Sequence, residues 1–366
     1  MARLRPGLYA AAHFLVDFGC ALLLLGRICP EWDSATAILL YNFLAFAVQM
    51  PTGLLADRYG RCHLFASAGC LLVISGWMLP AGLPAVVAAG TGNAAFHVGG
   101  GLHTLNESGN RAGPLGVFVS PGAFGVYLGG VLAAALPAAA PVSGVSALGI
   151  WGMSVTVSDS AVGELSAAVW LPWAVCLALA FFTVLLGRFG RGTENAPLVL
   201  PRGETKLWTG AACLLAVVIL RSFLGLAANL PWKADFGLLA VCAVAGGKAA
   251  GGYLADRFGM LPVAFISLCL SALCFFGGNH PAAGLAALFL FNMTMPLTLW
   301  AAARMFPGMK GFSFGLLTFG LFLGFLPVYF GVGDLSAAVL GAGTILSLPL
   351  LILGIRQVQG EKGEVK

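Results

Sequence analysis

His13 and Asp17 stand four residues apart inside an apolar stretch that begins near Gly7. In a helix that spacing puts both side chains on one face, so an imidazole and a carboxylate are offered together where water is scarce. Such a carboxylate can load and unload a proton during a cycle. An imidazole, which titrates near neutral pH, can relay that proton or donate to a bound compound. A structural hydrogen bond at a helix contact is the other reading of Asp17. His97, in a later apolar stretch, lies about as deep as His13, so the two rings are able to meet; each can equally be a neutral core histidine bonded to a carbonyl. His103 is expected at an interface, and His63 and His280 at loops or boundaries.

Arg221 lies deep in another apolar stretch and keeps its proton. It needs an anion, and the two available kinds are Asp17 and a bound substrate. Lys248 lies eight residues before Asp256, on the order of 12 Å along a helix, from which it either snorkels to the nearer boundary or contributes to binding. A charge at the centre of a bilayer costs about 2.5–3.5 kcal/mol on insertion scales, so each such residue is a functional candidate. Counting Arg221 and Lys248 against Asp17 leaves this region one charge positive with the histidines neutral. That favours an anionic or zwitterionic small molecule over a cation. Asn93 and Asn292 are candidate substrate contacts, with Asn42, Gln49 and Asn229 as further amides, although amides also serve helix packing.

The elements that position these groups must lie in lipid. Of 366 residues 59% are hydrophobic and only 9% charged, with a mean hydropathy of +0.94, whereas roughly a quarter of residues are charged in soluble domains. The formal charge of +5 forms no dense patch that would bind nucleic acid. The nine cysteines, mostly within apolar runs and without a CxxC pair, read as small core residues. No Walker A motif is present, and the glycine steps at 99–101 and 246–247 read as packing glycines. No nucleophile stands beside a base, so an enzyme is not expected, nor a cofactor. A bis-histidine haem or metal site lacks carboxylate or thiolate ligands at suitable spacing. The first apolar run contains Asp17 and no convincing cleavage site, so it reads as a span rather than a signal peptide.

Apolar runs of roughly 18 to 25 residues predict twelve spans, near 7–28, 35–55, 62–79, 83–105, 114–136, 166–187, 207–229, 236–255, 261–278, 283–303, 312–332 and 337–356. With both termini in the cytoplasm, Arg3, Arg5, Arg58, Arg61, Arg111, Arg188, Arg191, Arg202, Lys206, Arg257, Arg304, Lys310, Arg356, Lys362 and Lys366 fall inside, and only Arg27 and Lys233 fall outside. This asymmetry supports the count, the orientation and an inner (plasma) membrane location. Residues 137–165 read as an outer loop, wholly or with a re-entrant part, because a thirteenth crossing would invert everything after it. The predicted organisation is an N-terminal six-helix bundle over 1–187, a cytoplasmic linker over 188–206, and a second bundle with a short tail over 207–366. Trp173, Trp208, Trp232 and Trp300 are expected at membrane interfaces or in packing, and a monomer is the expected state.

Two copies of one turn tie the bundles together. GLLADRYG at Gly53 to Gly60, followed by Arg61, returns as GYLADRFG at Gly252 to Gly259. The run GLLADRYGR resembles the loop between the second and third helices of the major facilitator superfamily, and the second copy resembles its counterpart in the other half. The resemblance implies an all-α membrane protein of twelve helices in two pseudo-symmetric six-helix bundles, with helices 1, 4, 7 and 10 lining a central cavity. It also implies that Gly53, Asp57, Arg58, Gly60 and Arg61, with Gly252, Asp256, Arg257 and Gly259, form a gate. Asp57 is expected to face the helix start near Ser313, and Asp256 the helix start at Pro114, where a carboxylate meets the positive end of a helix. The family's further basic residues are replaced by Cys62 in the first copy and by Met260 and Leu261 in the second, which predicts a weaker second contact.

A finer resemblance, to the fosmidomycin-resistance-like branch, rests on His13-Phe14-x-x-Asp17, on Gly92-Asn93-Ala94-Ala95-Phe96-His97, on Arg221-Ser222 and on MFPGMKGFSFGL at 305–316. It implies proton-driven export of small, often anionic compounds. The fourth span has Thr91, Asn93 and His97 where many drug antiporters carry an arginine. The fifth has the glycine spacing of Gly116, Gly125, Gly129 and Gly130 without the Gly-Pro step. The expectation is therefore a secondary transporter, in the first place a proton antiporter that exports an anionic or amphiphilic compound. Proton-coupled uptake of an organic anion is the alternative, and a transport-inactive scaffold or receptor the third reading. Asp17, His13 and His97 are the proton-coupling candidates, and Arg221, His97, Asn93, Asn292 and Lys248 the substrate-binding ones.

Overall fold

The computed structural model describes residues 5–135, 167–191 and 205–360. The expected loop at 137–165, residues 192–204 of the expected linker and the terminal Arg3, Lys362 and Lys366 lie outside that range. Every regular element described is helical. Twelve rods follow one another: α1 Arg5–Glu31, α2 Ser34–Tyr59, α3 Cys62–Met78, α4 Leu83–Glu107, α5 Gly113–Ala134, α6 Ala167–Phe189, α7 Thr205–Ala227, α8 Gly237–Phe258, α9 Met260–Phe276, α10 Pro281–Met305, α11 Lys310–Tyr329 and α12 Ala337–Gly360. Nine of these are long and apolar enough to cross a membrane, while α3 and α9 are apolar and shorter.

The remaining rod, α4, owes its place to packing more than to hydropathy. Nearly all of its length is buried, including Asn93, His97, His103 and Thr104. Its glycines let α3 approach closely, since a methyl group at Gly92 would meet Gly69 O, and one at Gly99 would meet the Ala66 backbone. Small residues serve this purpose where lipid supplies no hydrophobic drive between helices.

Four rods depart from regular helix, and three of the departures lie beside the buried polar groups. A π-helical turn at Leu24–Ile28 interrupts α1, and another at Phe43–Ala47 interrupts α2. In α5 the helix breaks at Ser120, between Gly113–Val119 and Pro121–Ala134. Pro121 has no N–H to pair with the carbonyl four residues earlier. In α10 the break falls at Met293, between Asn292 and Thr294.

The two bundles meet along two seams, α2 against α11 and α5 against α8. Both are glycine-lined. A Cβ at Gly53 would strike Gly311 O, and one at Gly315 would strike Gln49 O. On the other seam, Gly252 faces Ala112 O and Gly116 faces Lys248 O in the same way. Backbone therefore lies directly on backbone where the halves touch.

Candidate functional site

The buried polar groups of the first bundle form one cluster. His13 and Asp17 of α1 stand one turn apart, with His13 Nε2 at 3.2 Å from Asp17 Oδ2. From α4, Asn93 Nδ2 donates to Asp17 Oδ1 at 3.0 Å, and His97 Nε2 lies 3.6 Å from the same oxygen. The two imidazoles meet edge to face, Nε2 to Nε2, at 2.9 Å. Gly122, just past the α5 break, fills the last side, because a Cβ there would collide with Asp17 Oδ2 and His13 Nε2.

The proton count follows from the acceptors. His13 Nδ1 lies 2.7 Å from Phe118 O, and His97 Nδ1 lies 2.9 Å from Asn93 O. A carbonyl only accepts, so each Nδ1 carries a hydrogen. The two Nε2 atoms then face each other at hydrogen-bond distance, and one of them must carry a proton for that contact to attract. An attractive contact there takes one proton beyond the neutral rings, for which the Asp17 carboxylate stands alongside as counterion. The candidate ligand atoms of His13, Asp17 and His97 lie within 4.8 Å of one another. This corrects the expectation that no carboxylate joins the histidines.

The second bundle presents cations instead. Arg221 of α7 is buried, and its Nη1 donates to Thr298 Oγ1 of α10 at 3.4 Å. Of the two anions open to Arg221, Asp17 is not its partner: Asp17 is already held by three side chains of its own bundle, and among the described residues no carboxylate ion-pairs with Arg221. Lys248 does not snorkel to a boundary. It is 2% exposed, and Nζ donates to Val119 O at 3.4 Å, one residue before the α5 break. The neighbouring carbonyl, Phe118 O, takes His13 Nδ1. The interruption at Pro121 therefore supplies acceptors to the proton cluster and to a lysine of the other half. The Pro121-Gly122 pair inside an apolar run was the sequence signal for this break.

Two adjoining cavities join these groups. One is bordered by His13, Asp17, His97, Gln49, Arg221, Lys248 and Thr298, and the other by Arg221, Lys248, Lys233, Asn42 and Asn292. Asn292 Nδ2 and Asn42 Nδ2 each donate to a carbonyl one turn back in their own helices, Leu288 O and Ile38 O. Asn93 serves the Asp17 cluster. Lys233, expected as an exposed outer charge, is 5% exposed and borders the second cavity. Its sequence position between two spans pointed to a loop and concealed that the turn Pro231–Lys233 folds inward.

Burial locates the remaining residues singled out in the sequence. His103 is 2% exposed and stacks on Tyr9 rather than meeting an interface. Asn229 lies away from both cavities and donates to Asp334 Oδ1. Trp232 and Trp300 are buried, their indole N–H groups held by Gly278 O and Asn110 O, whereas Trp173 and Trp208 are exposed.

At one end of the bundles the two Asp-Arg turns reach across. Asp57 accepts from Gly311 N and Phe312 N, both at 2.8 Å, at the first turn of α11. Asp256 accepts from Ala112 N at 2.6 Å and Gly113 N at 2.8 Å, at the start of α5. These are the unpaired donors that a helix start leaves over. Gly60 closes α2 in the left-handed region at φ 68°, and Gly259 stands between α8 and α9 at φ 96°. The second contact has no fewer hydrogen bonds than the first and differs in exposure, since Asp57 is buried and Asp256 is open. Arg58, Arg61 and Arg257 are exposed, and Arg257 lies over the Phe258 ring. Three further contacts close this end: Arg304 to Asn110, Lys310 to Asn106, and the Arg5–Glu107 ion pair within the first bundle.

Two six-helix bundles joined through these reciprocal turns around a polar centre are the fold of the major facilitator superfamily. Among solved structures, the human organic anion transporter MFSD10 (TETRAN) is similar with a TM-score of 0.68 at 15% identity, covering 96% of this chain and 99% of its own. The E. coli fucose:proton symporter FucP is similar with a TM-score of 0.60 at 14% identity, covering 98% of this chain and 99% of its own. FucP in the outward conformation gives 0.56 at 13% identity, covering 96% and 99%. No protein-family model matches the sequence, and no curated protein matches it.

Proposed function

We propose that this chain is a secondary transporter that moves a small anionic or amphiphilic compound by alternating access and couples that movement to protons. The observation that carries the reading is the shared space between the two bundles. A proton-holding cluster borders it from one half, and Arg221 with Lys248 from the other. Loss of the shared proton turns a neutral cluster into a carboxylate facing those cations, so the deprotonated cluster competes with an anionic cargo for them and the protonated one leaves them to it. The name of the structurally similar organic anion transporter supports the anionic cargo.

Export by antiport is the first reading, following the resemblance of the His13, His97 and Arg221 segments to the fosmidomycin-resistance-like branch. Proton symport is the second, favoured by the similarity to a fucose:proton symporter and by Thr91, Asn93 and His97 in place of an arginine. The Asp57 and Asp256 turns act as the cytoplasmic gate, with both termini on that side of the inner membrane. Asp17, His13 and His97 carry the coupling proton; Arg221 is the principal anion contact, with Lys248, Asn93 and Asn292 around it.

Proteoliposomes with an imposed pH gradient test this. The expected result is movement of an organic anion against its own gradient, in a direction set by the pH difference, and loss of that accumulation in Asp17→Asn. Accumulation by Asp17→Asn with unchanged pH dependence would remove the coupling assignment. The absence of any gradient-driven flux across a broad panel of anions would leave the scaffold reading.

A further inference from the structure

Among the described residues, Lys233 is the one strongly buried cation that the proton-and-anion scheme above does not use. Its Nζ donates to Ala228 O, just beyond the end of α7. An ammonium has three donors, and this one borders the cavity that Arg221 also lines. No carboxylate lines that cavity, and among the described residues neither Arg221 nor Lys233 ion-pairs with one. Asp17, on the adjoining cavity, is occupied by His13, His97 and Asn93. Buried charges without counterions are costly, and here there are two such charges at separate places.

Their separation is legible along one helix. Arg221 and Ala228 lie seven residues apart, about 10 Å at 1.5 Å per residue. Lys233 is anchored at Ala228, so its charge sits toward one end of the cavity while Arg221 lies deeper. Apolar side chains, among them Phe291 and Phe325, border the same space.

We propose that this cavity takes a two-ended dianion of the dicarboxylate class, one carboxylate on Arg221 and the other on Lys233, with an apolar middle. The proposal rests on the anionic-cargo reading and narrows it. A monoanion would satisfy Arg221 and leave Lys233 buried against its carbonyl alone. A compact dianion would place both charges at one end. The apolar side chains that border the same space fit the methylene chain of an extended dicarboxylate.

The test is equilibrium binding to the purified full-length chain in detergent, using α,ω-dicarboxylates of increasing chain length and their monocarboxylate counterparts. The expected result is a maximum in affinity at an intermediate length, with the best dicarboxylate at least about tenfold tighter than the monocarboxylate of equal length, the scale of one charge-assisted contact. Lys233→Gln should collapse that ratio to near one, and Lys233→Arg should keep it, which separates loss of charge from loss of fold. Equal binding of mono- and dicarboxylates, or an unchanged ratio in Lys233→Gln, would overturn the two-ended ligand and leave the anionic cargo standing. If no carboxylate binds at any length, both readings fail together.

Discussion

The two bundles share a fold and divide the chemistry. In the first, His13, Asp17, Asn93 and His97 bond to one another in a closed cluster. In the second, Arg221 and Lys233 are held only by a hydroxyl and a carbonyl, and they border open space. A pseudo-symmetric scaffold thus puts a mutually bonded carboxylate–histidine cluster in one half and cations without a carboxylate partner among the described residues in the other. Under the function proposed above, proton and cargo need not touch the same residue. They need only face the same cavity, where a change of one charge is felt by the rest across a few ångströms of low-dielectric space.

The contrast is broken most severely at its cationic side. Arg221→Gln removes the buried guanidinium that borders both cavities, and anion binding should fall by about 100-fold or more, the scale of a buried charge-assisted hydrogen-bonded pair. Binding isotherms of the purified protein read this directly. Binding within threefold of the unmodified chain would show that the cargo lies elsewhere. Next in size, Gly122→Ala forces a methyl group into the space held by Asp17 Oδ2 and His13 Nε2. Gradient-driven accumulation should drop about tenfold or more while anion affinity changes little, because a core group with no room must displace its neighbours. Accumulation and affinity falling together would instead mean that the two sides are not separable.

The pH dependence of binding sharpens the comparison. Lys233 lies in the connection between α7 and α8, and burial pushes its ammonium down to about 8. Arg221 and Lys248 face it across the cavity, and no carboxylate does. The charged form holds the anion, so its contribution is complete below pH 8 and is lost as the pH rises above it. Dicarboxylate affinity measured from pH 7 to above pH 9 should therefore decline by up to about tenfold per unit, since binding must then take up a proton. Lys233→Arg should flatten that slope, because arginine stays charged throughout. The smallest expected effect concerns the two turns. Asp57→Asn weakens two bonds to a buried carboxylate, about 1.5–3 kcal/mol for a bond to a charged group. It should lower the thermal midpoint more than Asp256→Asn does, since Asp256 is exposed to screening solvent. Equal shifts would show that burial does not distinguish the two contacts.

Much of the fold was legible because the spans are counted by hydropathy and the repeat marks corresponding ends. The helix starts facing Asp57 and Asp256 were legible too, through the motif, and so was the meeting of His13 with His97, from their equal depth. The partner of Arg221 was not, because charge counting shows that an anion is needed without showing whether Asp17 is already engaged by its own bundle. Lys233 was missed for a related reason. Span-end basic residues are read as topology markers, and only the inward fold of Pro231–Lys233 turns this one into a cavity wall. The role of Pro121 lay in backbone carbonyls, Phe118 O and Val119 O, whose availability depends on a helix break rather than on any side chain.

The glycine-lined seams have a mechanical consequence. Along α2–α11 and α5–α8 the halves touch with few side chains to mesh, for Gly53 lies on Gly311, Gly315 on Gln49, Gly252 on Ala112 and Gly116 on Lys248. Interdigitated side chains act as gear teeth, and relative movement would oblige each to leave its rotamer. Bare backbone forms something closer to a plain bearing, in which one half can roll over the other with little to disengage except the hydrogen bonds at its rim. The friction of such a joint would be set by those bonds, the two aspartates' among them, rather than by the area of contact.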